Sequence, residues 1–125
     1  MNKQVITSTN APAPIGPYSH AVKANGFLFV SGQVAKKASG EMVLSSISAQ
    51  TAQVMENLKS ILTEAGMNFE NVVKTTIFLT DMNDFATVNE VYGSYFKGNF
   101  PARETVQVSK LPLNVNVEIS VIAVV

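Results

Sequence analysis

Val115-Asn116-Val117-Glu118-Ile119-Ser120-Val121-Ile122-Ala123-Val124-Val125 closes the chain, and its period of two decides the fold class. The odd positions are apolar throughout, so they form one buried face of a strand. The even positions begin polar at Asn116, Glu118 and Ser120, then turn apolar at Ile122 and Val124. A second face that is half polar and half apolar suits a subunit interface with a wet pocket at one end.

Working back from this strand, Leu111-Pro112-Leu113-Asn114 is a turn, and residues 105–110 alternate as another strand. Val106 and Val108 match a core face, which leaves Arg103, Thr105, Gln107 and Ser109 on the other. Read as a hairpin around Pro112, with core faces coincident, the two strands set Glu118 beside Gln107 and near Thr105. Gly98-Asn99-Phe100-Pro101 is a loop. Before it, Phe85, Val88, Tyr92 and Phe96 give a helix with one buried face, capped by Asp81, Asn83 or Asp84. Residues 72–80 are rich in β-branched side chains and read as a strand.

A longer helix precedes that strand. Ser46 or Ser48 caps its start, Val54, Leu58, Ile61 and Ala65 form a stripe widened by Met55 and Leu62, and Gly66 ends it. Nearer the N-terminus, residues 18–23 and 27–31 read as strands around Asn25-Gly26, a strong short hairpin signal because both residues tolerate positive φ. A weak strand is expected over residues 41–44. Three prolines and a glycine keep Ala11-Pro12-Ala13-Pro14-Ile15-Gly16-Pro17 irregular.

The order is β-β-(β)-α-β-α-β-β, an α+β fold with a partly parallel sheet and both helices on one face. One domain over residues 1–125 is expected from length. The 46% hydrophobic fraction is ample for its core, and the 14% charged fraction is low enough to call for an oligomer. Nine basic and nine acidic residues cancel, so nucleic acid is not expected as a partner. The chain has no cysteine, hence no thiol chemistry, and its single histidine, His20, cannot build a multi-histidine metal site within one chain. No metal or cofactor is expected. No run approaches the roughly 20 apolar residues that span a bilayer, and residues 1–6 form no apolar signal segment, so the cytoplasm is the expected compartment.

Arg103, Thr105 and Glu118 thus fall on one polar face. Arg matches a carboxylate with a planar fork of donors, Glu can move a proton, and Thr offers a hydroxyl and a backbone N–H. A structural Arg–Glu ion pair across adjacent strands is the alternative, and spacing does not choose between them. His20 reads as packed or surface, Tyr92, Tyr95 and Phe96 as core, and Lys36-Lys37 as a solvated loop.

Several blocks in series resemble one family. They are Ile15-Gly16-Pro17-Tyr18-Ser19, Ser31-Gly32-Gln33, Val73-Lys74-Thr75-Thr76, residues 84–92, Pro101-Ala102-Arg103, Leu111-Pro112 and Val117-Glu118-Ile119. Their order and spacing resemble the RidA (YjgF) family from about residue 13 onward. The resemblance implies a chorismate-mutase-like fold of the bacillus type and a homotrimer with a central β-barrel and intersubunit clefts. It implies a 2-iminobutanoate/2-iminopropanoate deaminase, which hydrolyses reactive imino or enamine acids to 2-oxo acids and ammonia. By motif, Arg103 would clamp the substrate carboxylate and Glu118 would orient water or move a proton. Tyr18, Ser31, Thr105 and Asn89 would line the cleft. A non-catalytic sensor of 2-oxo acids is the alternative, and a ribonuclease or translation inhibitor is disfavoured by charge and by the lack of a histidine pair. Two residues depart from the family pattern. Thr105 stands where many members have Cys, and Glu104 where deaminases often have Ser. A Glu104 that reached Arg103 would compete with substrate.

Overall fold

The computed structural model describes residues 2–125; Met1, the first residue of the stretch read above for a signal segment, lies outside them. Strands β1 (Gln4–Ile6), β2 (Ala21–Ala24) and β3 (Phe27–Gln33) lead into helix α1 (Ile47–Glu64). Strand β4 (Val72–Leu79), helix α2 (Phe85–Gly93), and strands β5 (Ala102–Gln107) and β6 (Val117–Val124) follow. The strands form one sheet in the order β1-β2-β3-β6-β4-β5. The β4–β5 pair is parallel and the other neighbours are antiparallel, so the sheet is mixed.

Local chemistry explains the elements. Asn25 and Gly26 take φ of 51° and 79°, which reverses the chain between β2 and β3. The Ser46 side chain accepts the Ala49 N–H at 3.0 Å and starts α1, and Gly66 follows its end at φ 76°. Along α1, Val54, Met55, Leu58, Ile61 and Leu62 are fully buried. They meet Leu28 and Val30 of β3, Ile77 and Leu79 of β4, and Val117, Ile119, Val121 and Ala123 of β6 in one core. The odd face of β6 is buried as its alternation requires. Both helices lie on this side of the sheet.

Several expectations are corrected. Strands β5 and β6 do not form a hairpin, because β4 lies between them and pairs with both. The turn around Pro112 instead carries the chain across β4, with Leu113 and Asn114 at φ 59° and 56°. Residues 41–44 contribute only an isolated bridge, Met42 to Lys36, and the additional strand is β1 at the N-terminus. Tyr18 precedes β2 rather than starting it. Phe85 is 39% exposed rather than buried, and Val106 lies on the uncovered face. Among the described residues, no helix is long and apolar enough to cross a membrane.

Candidate functional site

Register determines where the candidate residues point. On β4, Thr75, Ile77 and Leu79 are buried under the helices. Their β5 partners are Arg103, Thr105 and Gln107, and paired residues share a face of the sheet. Arg103 and Thr105 therefore face the helix side at the edge strand. Glu118 pairs with Phe78, whose other partner is Val106, and these three share the uncovered face. The single polar face expected for Arg103, Thr105 and Glu118 is thus overturned. The hairpin assumption had made β5 the neighbour of β6, and inserting β4 with its own parallel register moves every β5 side chain to the opposite face.

The helix-side group is built around Arg103. Its guanidinium carbon lies 5.1 Å from the ring centroid of Tyr92 and 5.7 Å from that of Phe85. Such placement over aromatic faces attracts a cation through the ring quadrupole. Tyr92 is itself fixed, since its hydroxyl donates to the buried Thr75 hydroxyl at 2.9 Å. Burial raises the Tyr92 pKa, opposed by the Thr75 hydrogen bond and by the Arg103 charge, so the ring is a neutral support. Arg103 then lines a cavity of about 470 Å³ with Asn89, Tyr92, Gly93, Phe100 and Pro101. Among the described residues no carboxylate pairs with Arg103. Two residues along the same face, the Thr105 hydroxyl is buried without a hydrogen-bond partner.

Glu104 does not reach Arg103. It lies on the uncovered face, accepts from the Thr76 hydroxyl at 2.6 Å and pairs with Lys74 at 3.1 Å. The Thr76 bond, and then Lys74, hold its carboxyl below the ordinary range. The Arg–Glu ion pair considered as the alternative is not made among the described residues, because Arg103 and Glu118 lie on opposite faces of the sheet.

The second group lies on the far side of the sheet. A register shift between Val30 and Gln33 re-aims Ser31 and Gly32. The Ser31 hydroxyl donates to the Ser19 carbonyl at 2.6 Å, and its N–H to the His20 carbonyl at 2.9 Å. Glu118 packs on Gly32 so closely that a Cβ there would stand 2.5 Å from its carboxylate oxygen. Burial alone raises the Glu118 pKa, which favours the protonated acid. Tyr18 stands nearby, its hydroxyl accepting the Ile15 N–H at 3.3 Å, and lines a small cavity with Gly32 and His20.

The six candidates therefore divide. Arg103, Asn89 and Thr105 belong to the helix-side edge, Ser31 and Glu118 to the opposite side, and Tyr18 stands in the loop before β2, beside Gly32 and His20. Sequence reasoning missed the aromatic seat, Phe85 and Tyr92, although seven residues on a helix return to one face. It also missed Gly32, for which a glycine inside a strand run is the available signal.

This fold and these residues define a family. The model described as Endoribonuclease L-PSP matches residues 8–125, and the chain belongs to that family, the RidA (YjgF) family. The mouse protein named 2-iminobutanoate/2-iminopropanoate deaminase is 50% identical over 123 residues, which cover 98% of this chain and 91% of that protein. The crystal structure of YyfA from Yersinia pestis, a Rid family protein of unknown function, superposes with a TM-score of 0.96 at 48% identity, over 99% of this chain and 100% of that one. The crystal structure of E. coli TdcF with bound serine gives a TM-score of 0.94 at 39% identity, over 98% of each chain.

Proposed function

We propose that the protein is a deaminase of 2-imino acids such as 2-iminobutanoate and 2-iminopropanoate, working at clefts completed between subunits of a homotrimer. The observation that carries the reading is Arg103: a half-buried guanidinium seated on two aromatic rings, facing a cavity, with no carboxylate of its own. A small 2-imino acid supplies that carboxylate, as a bidentate partner. The name of the mouse relative and the serine bound to TdcF support a ligand of this size and chemistry.

Arg103 and Asn89 hold the carboxylate end, and the backbone at Thr105 completes that wall. Water attacks the imine carbon, the C=N bond becomes a C–N bond, and ammonia leaves as the 2-oxo acid forms. Glu118, with its raised pKa, delivers the proton to the departing nitrogen and takes one from water. Tyr18 and Ser31 close the cleft beside it. Because the two groups lie on opposite faces of the sheet, one substrate meets both only when Arg103 of one copy faces Glu118 of the next. In the trimer the uncovered sheet faces turn inward as a central barrel.

A ribonuclease reading has little support here. The only histidine is buried with both ring nitrogens engaged, and the balanced charge attracts no phosphate backbone. The test is a dehydratase-coupled assay that follows loss of 2-iminobutanoate. The wild type is expected to accelerate it and Arg103→Ala to abolish the acceleration. Equal rates with and without the wild-type protein overturn the proposal, and saturable 2-oxobutanoate binding in that case identifies a sensor.

A further inference from the structure

His20 is 2% exposed, and the chemistry above makes no use of it. Its Nδ1 accepts the backbone N–H of Ser8 at 3.0 Å, and its Nε2 lies 2.7 Å from the carbonyl oxygen of Pro12. A carbonyl only accepts and an N–H only donates, so both bonds hold together in one state alone. That state is the neutral imidazole with its proton on Nε2.

The two partners lie on the N-terminal arm that leads into Tyr18. Ser8 is buried beside Ala11, and its hydroxyl accepts the Asn10 N–H at 3.2 Å. Beyond Pro12 and Pro14 the chain reaches Ile15, whose N–H bonds the Tyr18 hydroxyl. The His20 carbonyl accepts the Ser31 N–H, so the same residue also fixes the start of the β3 bulge. The imidazole therefore ties together the arm, Tyr18 and Ser31.

We propose that His20 is the positioning residue that latches the N-terminal arm onto the Tyr18–Ser31 wall of the cleft, and that protonating its imidazole opens the latch. A second ring proton, on Nδ1, points at the Ser8 N–H, removes its acceptor and leaves a buried donor unpaired. The ring shares its cavity with Tyr18 and Lys36, and Glu118 of β6 packs on the neighbouring Gly32. From α1, Glu56, Lys59 and Glu64 face the arm at Ser8 and Asn10. No carboxylate among the described residues pairs with the ring.

His20 is the one histidine of the chain, so its ring nitrogen signals are unambiguous in NMR of the full-length protein. The expected spectrum at neutral pH shows the Nε2–H tautomer. As pH is lowered, the protection factors of the Ser8 and Ile15 amides should drop at least about tenfold, with the midpoint of ring protonation. His20→Asn keeps an acceptor near the Nδ1 position without a titrating ring, and its protection is expected to stay flat. An Nδ1–H tautomer, or a ring that protonates while both amides stay protected, overturns the proposal. So does a loss of protection in His20→Asn with the wild-type midpoint, which would assign the transition to the carboxylates. Should that variant fail to fold, the paired wild-type midpoints decide. The kinetic arm rests on the deaminase reading: KM for the imino acid should rise through the ring's midpoint in the wild type and not in His20→Asn, whatever pH dependence Glu118 gives kcat in both. In an active enzyme an unmoved KM overturns the positioning role. In an inactive one that reading alone has failed, and the exchange data decide the latch.

Discussion

Glu118 combines two properties at one carboxyl. It faces the uncovered side of the sheet, and burial raises its pKa. The folded state therefore holds this proton more tightly than the unfolded chain, so stability falls as pH rises from the ordinary carboxylate value through the raised one, then levels. Glu118→Gln removes that slope. Thermal unfolding across pH 4 to 8 should show the variant gaining on the wild type as pH rises; parallel curves would refute the shift. Under the proposed function the same substitution lowers kcat by about 10²- to 10⁴-fold, the usual contribution of a positioned acid or base. Glu104, one residue from Arg103, makes the contrast. Its carboxyl is lowered by Thr76 and Lys74 and turned to the other face, so it leaves Arg103 free for a ligand.

At the scale of elements, β3 shows how a small irregularity builds a site. Its register shift leaves Gly32 against Glu118, where a methyl group would meet the end of a flexible side chain rather than backbone. Gly32→Ala is therefore expected to cost little stability, on the order of 1 kcal/mol, while pushing the carboxylate aside. Comparison of melting temperature and deaminase kcat tests this; a variant that unfolds, or one with unchanged kcat, contradicts it. Strands and helices with strong periodicity were legible in the sequence: the apolar stripe of α1, the odd face of β6 and the Asn25-Gly26 turn all sit where alternation and turn chemistry put them. The neighbour of β5 was not legible. Alternation says which residues share a face of one strand, but relating two strands requires knowing what lies between them. Ala102-Arg103-Glu104-Thr105-Val106-Gln107 also has no face that is cleanly apolar, because Val106 turns to the uncovered side and Arg103 to the helix side. Arg103 itself was legible as a carboxylate anchor from its chemistry; its aromatic seat depended on α2 docking over β4 through Tyr92 and Thr75.

At the scale of the molecule, the described residues put helices on one face of the sheet and nothing on the other. Cross-strand rows on the open side run Val5, Val22, Phe29 and Ile122, and beside them Ala24, Phe27 and Val124. Phe27 and Phe29 remain 43% and 48% exposed, stacked with ring centroids 6.1 Å apart. Thr76, Glu104, Ser120 and Glu118 form the polar end. An apolar face of this kind is a surface for association, and under the proposed function the division of candidate residues between the two sides gives association a catalytic reason. Burying Phe29 in a subunit contact makes a lysine there costly, because its charge would be taken out of water without a partner. The helix-side core does not involve Phe29, so a dissociated chain can keep its fold. Sedimentation of the wild type should give three times the chain mass of 13.4 kDa, and Phe29→Lys should shift it toward the single chain with its circular dichroism retained and imine hydrolysis lost. A wild type that sediments as one chain, or a dissociated variant that still deaminates, would show that one protomer holds a complete site and that the opposite-face arrangement of Arg103 and Glu118 has been assigned the wrong meaning.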